Sequence, residues 1–187
     1  MQIKISTMPI DKIVTPALVV GLFADETPPR GITGLMDWRL NGFISWEMAQ
    51  GRAGGEFGET CALALPCLQG IDLLILYGLG ETRAFGLNRA RESGRNITLV
   101  MAGLKRRAFA FAIPDSGGIK PSSPEVTCAF LVGCLEGQRL TAAIPGEFPT
   151  LVTVEKMVEE VRLGATLFQR QTGMEGRLSL ELLGREI

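Results

Sequence analysis

Ala17 to Phe23 is an unbroken apolar run rich in Val and Leu, set between Pro16 and the breakers Asp25, Pro28 and Pro29. A run this short, with no polar position, suits a strand buried on both faces, as strands are in a parallel sheet covered by helices. That strand demands helices on either side of a sheet, and the rest of the chain can supply them. Residues 2 to 6 read as a short strand, and so do Thr60 to Leu65, Asp72 to Tyr77 (closed by Gly78-Leu79-Gly80), Ala108 to Ile113, Leu140 to Ile144 and Arg177 to Leu182.

Between these runs the apolar period changes from two to 3.6. Ile32, Leu35, Met36, Leu40, Phe43, Trp46 and Ala49 fall on one face of a helix over 32–50, which Gly42 weakens and Gly51 ends. Ala90, Ser93, Ile97, Val100, Met101 and Leu104 keep a helical period, although Ile97 to Ala102 would suit a strand by composition. A helix is favoured there, with Gly94 costing ~1 kcal/mol relative to Ala. Ser123 is placed as an N-cap, with Pro124 at the first helical position and Glu125 behind it. Thr153 is placed as the cap of a last helix that Gly173 ends, with Met157, Val161, Ala165 and Phe168 on its inner face.

Strands alternating with helices imply crossover connections and a largely parallel sheet between two helical layers. Hairpin-like pairs near the start and near Pro66 add antiparallel strands. The fold class expected is therefore α/β, three layers around a mixed, mostly parallel sheet. With 187 residues and no linker or repeat, residues 1–187 form one domain.

The formal charge is −1, so no electrostatic footprint for nucleic acid or an anionic membrane is present, and Lys105-Arg106-Arg107 is read as a solvated helix end. No apolar run approaches the ~18 residues of a membrane span. Met1 to Ile5 alternates like a strand and unlike a signal peptide, so a cytoplasmic location is expected. There is no histidine, which removes Ser-His-Asp triads, Cys-His dyads and His-ligated metals together. Cys61, Cys67, Cys128 and Cys134 lie in apolar runs, each pair separated by five residues, and read as buried, inert thiols.

In an open α/β sheet, ligands bind beyond the carboxyl ends of the strands. Three loops fall there: Ala24 to Gly34, Gly78 to Thr82, and Pro114 to Gly118. Gly78-x-Gly80 is a fragment of a dinucleotide fingerprint whose third glycine would fall at Arg83, so the motif fails. The glycine-rich stretch 51–58 lacks the Gly-Lys-Ser/Thr ending of a P-loop and reads as a flexible connection. The candidate ligand-binding residues are Gly31, Thr33 and Gly34 before one helix, and Asp115, Ser116, Gly117 and Gly118 before another. Successive backbone N–H groups and a helix N-terminus can converge there on an anion. Asp115 argues against phosphate and for a ligand hydroxyl or amine, and a plain tight turn is the competing reading.

The run Ala17 to Phe23, the start Leu35-Met36-Asp37, the stretch Gly51 to Thr60 with its Gly-Glu-Thr ending, and Leu74 to Gly80 with Leu-Tyr-Gly-Leu-Gly come in an order that resembles the amino-terminal domain of the leucyl aminopeptidase family (peptidase family M17). The match spans roughly residues 15 to 136. The resemblance implies a macro-domain-like fold that helps subunit assembly, with the chemistry in a separate carboxyl-terminal domain holding two metal ions; this chain is expected to end before such a domain. Thr172-Gly173-Met174-Glu175-Gly176-Arg177-Leu178 is similar to that family's catalytic signature, but Gly173 stands where a ligating Asp belongs, and one carboxylate does not hold a two-metal cluster. Macro domains often bind ADP-ribose, which would place phosphate loops at Gly31 to Gly34 and Ser116 to Gly118. Phe23-Ala24-Asp25-Glu26 replaces their Asn-Ala-Ala-Asn-like stretch.

The sequence thus predicts a non-catalytic domain with no catalytic residue, metal or cofactor of its own, working as a homo-oligomer or with a protein partner. The alternative is a binding module for a nucleotide or another small anion. Metallo-aminopeptidase activity is implied only through the family, and no nucleic-acid or membrane partner is expected.

Overall fold

The computed structural model describes residues 2–65, 70–115, 123–141, 148–174 and 179–183. Among these residues seven strands form one sheet: β1 (Gln2–Ser6), β2 (Leu18–Phe23), β3 (Thr60–Ala64), β4 (Leu73–Gly80), β5 (Ala110–Ala112), β6 (Thr150–Val152) and β7 (Ser179–Leu183). Their order is β3-β4-β2-β5-β6-β1-β7. Among the described residues only β3 and β4 pair antiparallel, and every other pair of strands is parallel. The hairpin expected near the start does not form, because β1 pairs with β6 and β7 and not with β2.

Five α-helices among the described residues cover the sheet: α1 (Gly31–Arg39), α2 (Phe43–Ala49), α3 (Leu87–Gly103), α4 (Pro124–Leu140) and α5 (Val158–Thr172). Every residue of β2 is buried. Val19, Phe23, Ile75, Tyr77 and Phe111 meet Ile97, Phe130, Leu131, Val161 and Phe168 from α3, α4 and α5 on one side. Leu18, Val20, Leu22, Leu74 and Leu76 meet Ile32, Met36 and Ile44 from α1 and α2 on the other. This is the three-layer α/β arrangement with a mixed, mostly parallel sheet.

The helix expected over 32–50 is two helices. Asn41 (φ 55°) and Gly42 (φ 79°) are left-handed, which stops α1. The Gly42 N–H bonds back to the Asp37 carbonyl at 2.9 Å, closing the end. The buried Asp37 carboxylate then accepts from the N–H and hydroxyl of Ser45, so one helix caps the first turn of the next. The shared apolar face dissolves with the break: Leu35 and Trp46 stand in solvent, while Ile44 is buried.

The N-cap at Ser123 forms as expected, its hydroxyl accepting from the Val126 N–H, and α4 runs on to Leu140. Leu140 is therefore helical and Thr141 is the C-cap of α4, while the rest of the strand expected at 140–144 lies outside the described residues. Thr153 does not cap α5. A single 3₁₀ turn, Glu155–Met157, intervenes, and the Thr153 hydroxyl is buried without a hydrogen-bond partner. Gly78 and Gly80, expected to close β4, belong to it.

The stretch 87–103 is a helix, and Gly94 has a packing reason: a Cβ there would sit 2.1 Å from the Phe130 carbonyl oxygen of α4. Gly133 and Gly137 on α4 face the Arg91 and Arg95 backbone of α3 in the same way, so the two helices touch along their main chains.

Candidate functional site

Parallel pairing brings the carboxyl ends of β1, β2, β4, β5 and β6 to one edge of the sheet. The loop after β2 leads into α1, the loop after β5 holds Asp115, and the turn after β6 holds Lys156. These three segments meet at the N-terminus of α1. Asp115 Oδ1 accepts from the Ile32 N–H at 2.7 Å, and Asp115 Oδ2 lies 3.5 Å from the Lys156 ammonium. The Asp115 side chain is 8% exposed and Lys156 is 72% exposed, so a buried carboxylate is neutralised from its solvent side. A helix N-terminus with free N–H groups is a ready anion site. Here the chain's own carboxylate fills it.

The remaining candidate residues are held around that contact. Gly31 has φ 58° and lies against Asp115: a Cβ on it would sit 1.9 Å from Oδ1. Thr33 is buried, and its hydroxyl donates to the Gly21 carbonyl of β2 at 2.9 Å. Gly34 donates its N–H to the Arg30 carbonyl and leaves no room for a side chain beside the Pro29 carbonyl. Gly31, Thr33, Gly34 and Asp115 are thus brought together. Ser116, Gly117 and Gly118 lie outside the described residues.

The two glycine runs on the other side of β2 pair with each other. Gly80 donates to the Gly55 carbonyl, Gly58 to the Gly78 carbonyl and Gly78 to the Glu59 carbonyl, each at 2.8–2.9 Å. The Glu59 carboxylate accepts from the Gly55 N–H at 2.8 Å. The stretch 51–58 is therefore stitched to the sheet edge, against the expectation of a flexible connection.

Sequence reasoning did not find Asp25 and Arg89. The Asp25 carboxylate accepts from both the N–H and the hydroxyl of Thr82, at 2.9 and 2.6 Å, and these bonds hold its carboxyl below the usual range. Arg89 stacks over Phe57 and donates to the Leu79 carbonyl. The only local signal was an Asp just past a strand, a common turn residue; that Thr82, 57 positions on, faces it comes from strand order.

Beneath this edge, Leu79, Phe85, Phe111, Ile113, Thr127 and Phe130 line a cavity of about 20 Å³. That is room for about one water, against the ~300 Å³ and more of small-molecule sites. The Thr127 hydroxyl is buried there without a partner. On the outer side of α3 and α4, an open groove of about 590 Å³ collects Arg91, Arg95 and Arg139 around Glu136, whose carboxyl is held low chiefly by the Arg91 guanidinium.

No cluster of three or more Cys, Asp or Glu side chains fit to hold a metal occurs among the described residues. Cys128 and Cys134 are buried as expected, whereas Cys61 is half-exposed and Cys67 lies outside the described residues. Burial pushes the Cys134 thiol up to about 12 and raises Cys128 and Cys61 as well, so none is a ready thiolate. Of the signature-like stretch, Thr172 and Gly173 form the end of α5, with Gly173 left-handed, and residues 175–178 lie outside the described residues. No described helix is long and apolar enough to cross a membrane.

No family model and no curated protein matches the sequence. Solved structures share the fold. A mutant of the Oceanobacillus iheyensis macrodomain superposes with a TM-score of 0.65 at 14% identity, over 89% of this chain and 92% of that one. The macrodomain of Mycobacterium tuberculosis DarG gives 0.60 at 17%, over 81% and 98%. A mutant of tomato leucine aminopeptidase gives 0.63 at 14%, over 89% of this chain. The chain spans 36% of that aminopeptidase's length. At such identities the likeness speaks for a macro-like α/β fold alone.

Proposed function

We propose that this chain is a macro-like domain without chemistry of its own, acting by association with itself or with a protein partner. One observation carries the reading: the anion position at the N-terminus of α1 is occupied by the chain's own Asp115 carboxylate, held from the other side by Lys156. A phosphate there would have to displace a buried, hydrogen-bonded carboxylate and stand beside its charge. The second carboxylate of the edge, Asp25, is engaged by Thr82. The molecule meanwhile presents Trp38 at 67% and Trp46 at 51% exposure, with Arg39 and Arg52 stacked on them. Trp and Arg are the residues most enriched among those that dominate protein interfaces.

Titration calorimetry against ADP-ribose, nucleotides and inorganic phosphate should give no heat of binding. Leucine-p-nitroanilide with added Mn²⁺ or Zn²⁺ should be hydrolysed no faster than by a Glu175→Ala control. Saturable ADP-ribose binding, or hydrolysis above that control, overturns the reading.

The second reading is a small-anion binding module. The macrodomain likeness supports it, and it requires the Asp115 carboxylate to leave α1. Asp115→Ala would then bind phosphate or ADP-ribose more tightly than the native chain.

A further inference from the structure

Three arginines gather on a face of the molecule that the candidate site leaves unused. Arg91 and Arg95 of α3 and Arg139 of α4 line the open groove of about 590 Å³ between these helices, together with Glu92, Glu136 and Leu140. Its volume falls within the ~300–1,000 Å³ of binding clefts. Three positive charges against two negative leave the groove net positive, in a chain whose total charge is −1.

The main chain fixes where these arginines stand. A Cβ on Gly133 of α4 would lie 1.9 Å from the Arg91 carbonyl oxygen, and one on Gly137 would lie 2.8 Å from that of Arg95. The two helices therefore touch at the residues that carry the guanidinia, and a site built on rigid elements has little ordering to do when it binds. The half-buried Glu136 carboxylate accepts from Arg91 Nε at 3.0 Å and from Nη2, which orients that guanidinium and leaves its Nη1 donors available. Among the described residues Arg91 is the groove arginine with an ion pair, and Arg95 and Arg139 have none.

Charge complementarity selects the occupant. Guanidinia offer a planar fork of donors, and carboxylates match it. Arg91 and Arg95 stand four residues apart on α3, ~6 Å along its axis. Alternate side chains of an extended segment repeat at a similar distance, ~6.8 Å. Glu92 and Glu136 oppose a concentrated dianion such as phosphate, whereas singly charged carboxylates can meet one guanidinium each. None of the side chains lining the groove is aromatic, so a nucleic-acid base finds no stacking platform. The exposed Leu140 adds an apolar contact in the same groove.

We propose that this groove binds an acidic, extended segment of a partner protein, whose carboxylates at alternate positions meet Arg95, Arg139 and the open side of Arg91. This rests on the association reading above, in its protein-partner form, and names the partner's chemistry. Arginine clusters are a recurrent means of reading acidic motifs, and Arg is among the residue types that dominate interfaces.

The test follows the fluorescence anisotropy of two short labelled peptides on the full chain, one alternating Glu and Ser and the other alternating Lys and Ser. The Glu peptide should bind saturably at ~50 mM salt and at least ten-fold more weakly at ~500 mM, because salt screens exposed charges. The Lys peptide should not bind. Arg95→Glu combined with Arg139→Glu should abolish binding of the Glu peptide and admit the Lys peptide, a swap that mere misfolding cannot produce. Arg162→Glu makes the same charge change on α5 and should leave the Glu peptide's affinity within about two-fold. All three arginines are exposed, so the variants should keep native circular dichroism. A single-stranded oligonucleotide of equal charge should compete at least ten-fold less well than unlabelled Glu peptide. The proposal is overturned by a native chain that does not bind the Glu peptide, by binding that survives the double reversal or falls equally in Arg162→Glu, or by an oligonucleotide that competes as well. The association reading fails by a different measurement, namely ADP-ribose binding or hydrolysis.

Discussion

Gly94→Ala separates helix propensity from packing, because the two predict opposite signs. In an exposed helix interior, Gly→Ala stabilises by ~1 kcal/mol. Gly94 is buried where α3 crosses α4, and an Ala Cβ would lie 2.1 Å from the Phe130 carbonyl oxygen and 3.0 Å from the Cys134 nitrogen. Both obstacles are main chain in a helix, so no side chain can swing away. Reaching the ~3.0 Å floor of real Cβ contacts moves the helices apart by about 0.9 Å, the difference between 3.0 and 2.1. A gap of that size forfeits a quarter to a half of the dispersion between the facing surfaces. Overpacking of this kind costs ~1–3 kcal/mol, and rigid backbone on both sides puts it at the upper end. Subtracting the propensity gain leaves a net loss of ~2 kcal/mol, or a Tm lower by ~4–8 °C for a chain of this length. Gly103→Ala is the control. It sits at the end of the same helix with nothing within 4 Å of a Cβ, and should be neutral or stabilising by up to ~1 kcal/mol. Urea unfolding followed by circular dichroism gives both values, provided the slope m is unchanged. Gly94→Ala as stable as the native chain, or stabilised alongside Gly103→Ala, would refute the close-packed crossing.

Asp115→Ala leaves the Ile32 N–H without its charged acceptor and should destabilise by ~2 kcal/mol in the same assay, whereas Lys156→Ala, removing an exposed partner, should cost under ~1 kcal/mol. Equal losses would mean that the ion pair, and not the bond to α1, holds the loop. Because burial raises the Cys134 thiol from 9.0 to about 12, its contribution to stability is whole below pH 9 and is lost as pH rises from 9 towards 12, where the unfolded chain ionises first. Unfolding midpoints from pH 7 to 10.5 should show that decline, and Cys134→Ala should flatten it. Asp25 has the opposite sign. Its carboxyl is held low by the Thr82 bonds, so its contribution is whole above the ordinary carboxylate value of ~3.9 and is lost as pH falls through the depressed one. Asp25→Asn should remove part of the acid dependence of Tm between pH 5 and 2 and leave the alkaline limb unchanged.

Much of the fold was legible because its signals are local. The fully apolar β2, the Ser123-Pro124 start of α4 and the Val161, Ala165, Phe168 stripe of α5 are each written within a few turns of chain. The break between α1 and α2 was written too, as Asn41-Gly42, but the apolar period runs through it, and period alone cannot tell one helix from two that share a layer. β6 escaped because three residues are too few to carry an alternation; its place between β5 and β1 is decided by partners about 40 and 145 positions away.

The candidate site was harder for a physical reason that its glycines expose. A glycine that cradles a ligand and a glycine that admits a neighbouring backbone look alike in sequence, since both are chosen for the missing Cβ. They differ in what occupies the place where the Cβ would be. At a cradle that place is open to the ligand. Here it holds Asp115 at Gly31, the Pro29 carbonyl at Gly34, the Glu56 carbonyl at Gly78 and the Arg89 guanidinium at Gly80. Each of these glycines at the carboxyl edge admits a part of the chain itself, which is why a glycine pattern suggesting an anion site coincides with an edge whose donors and carboxylates already answer one another.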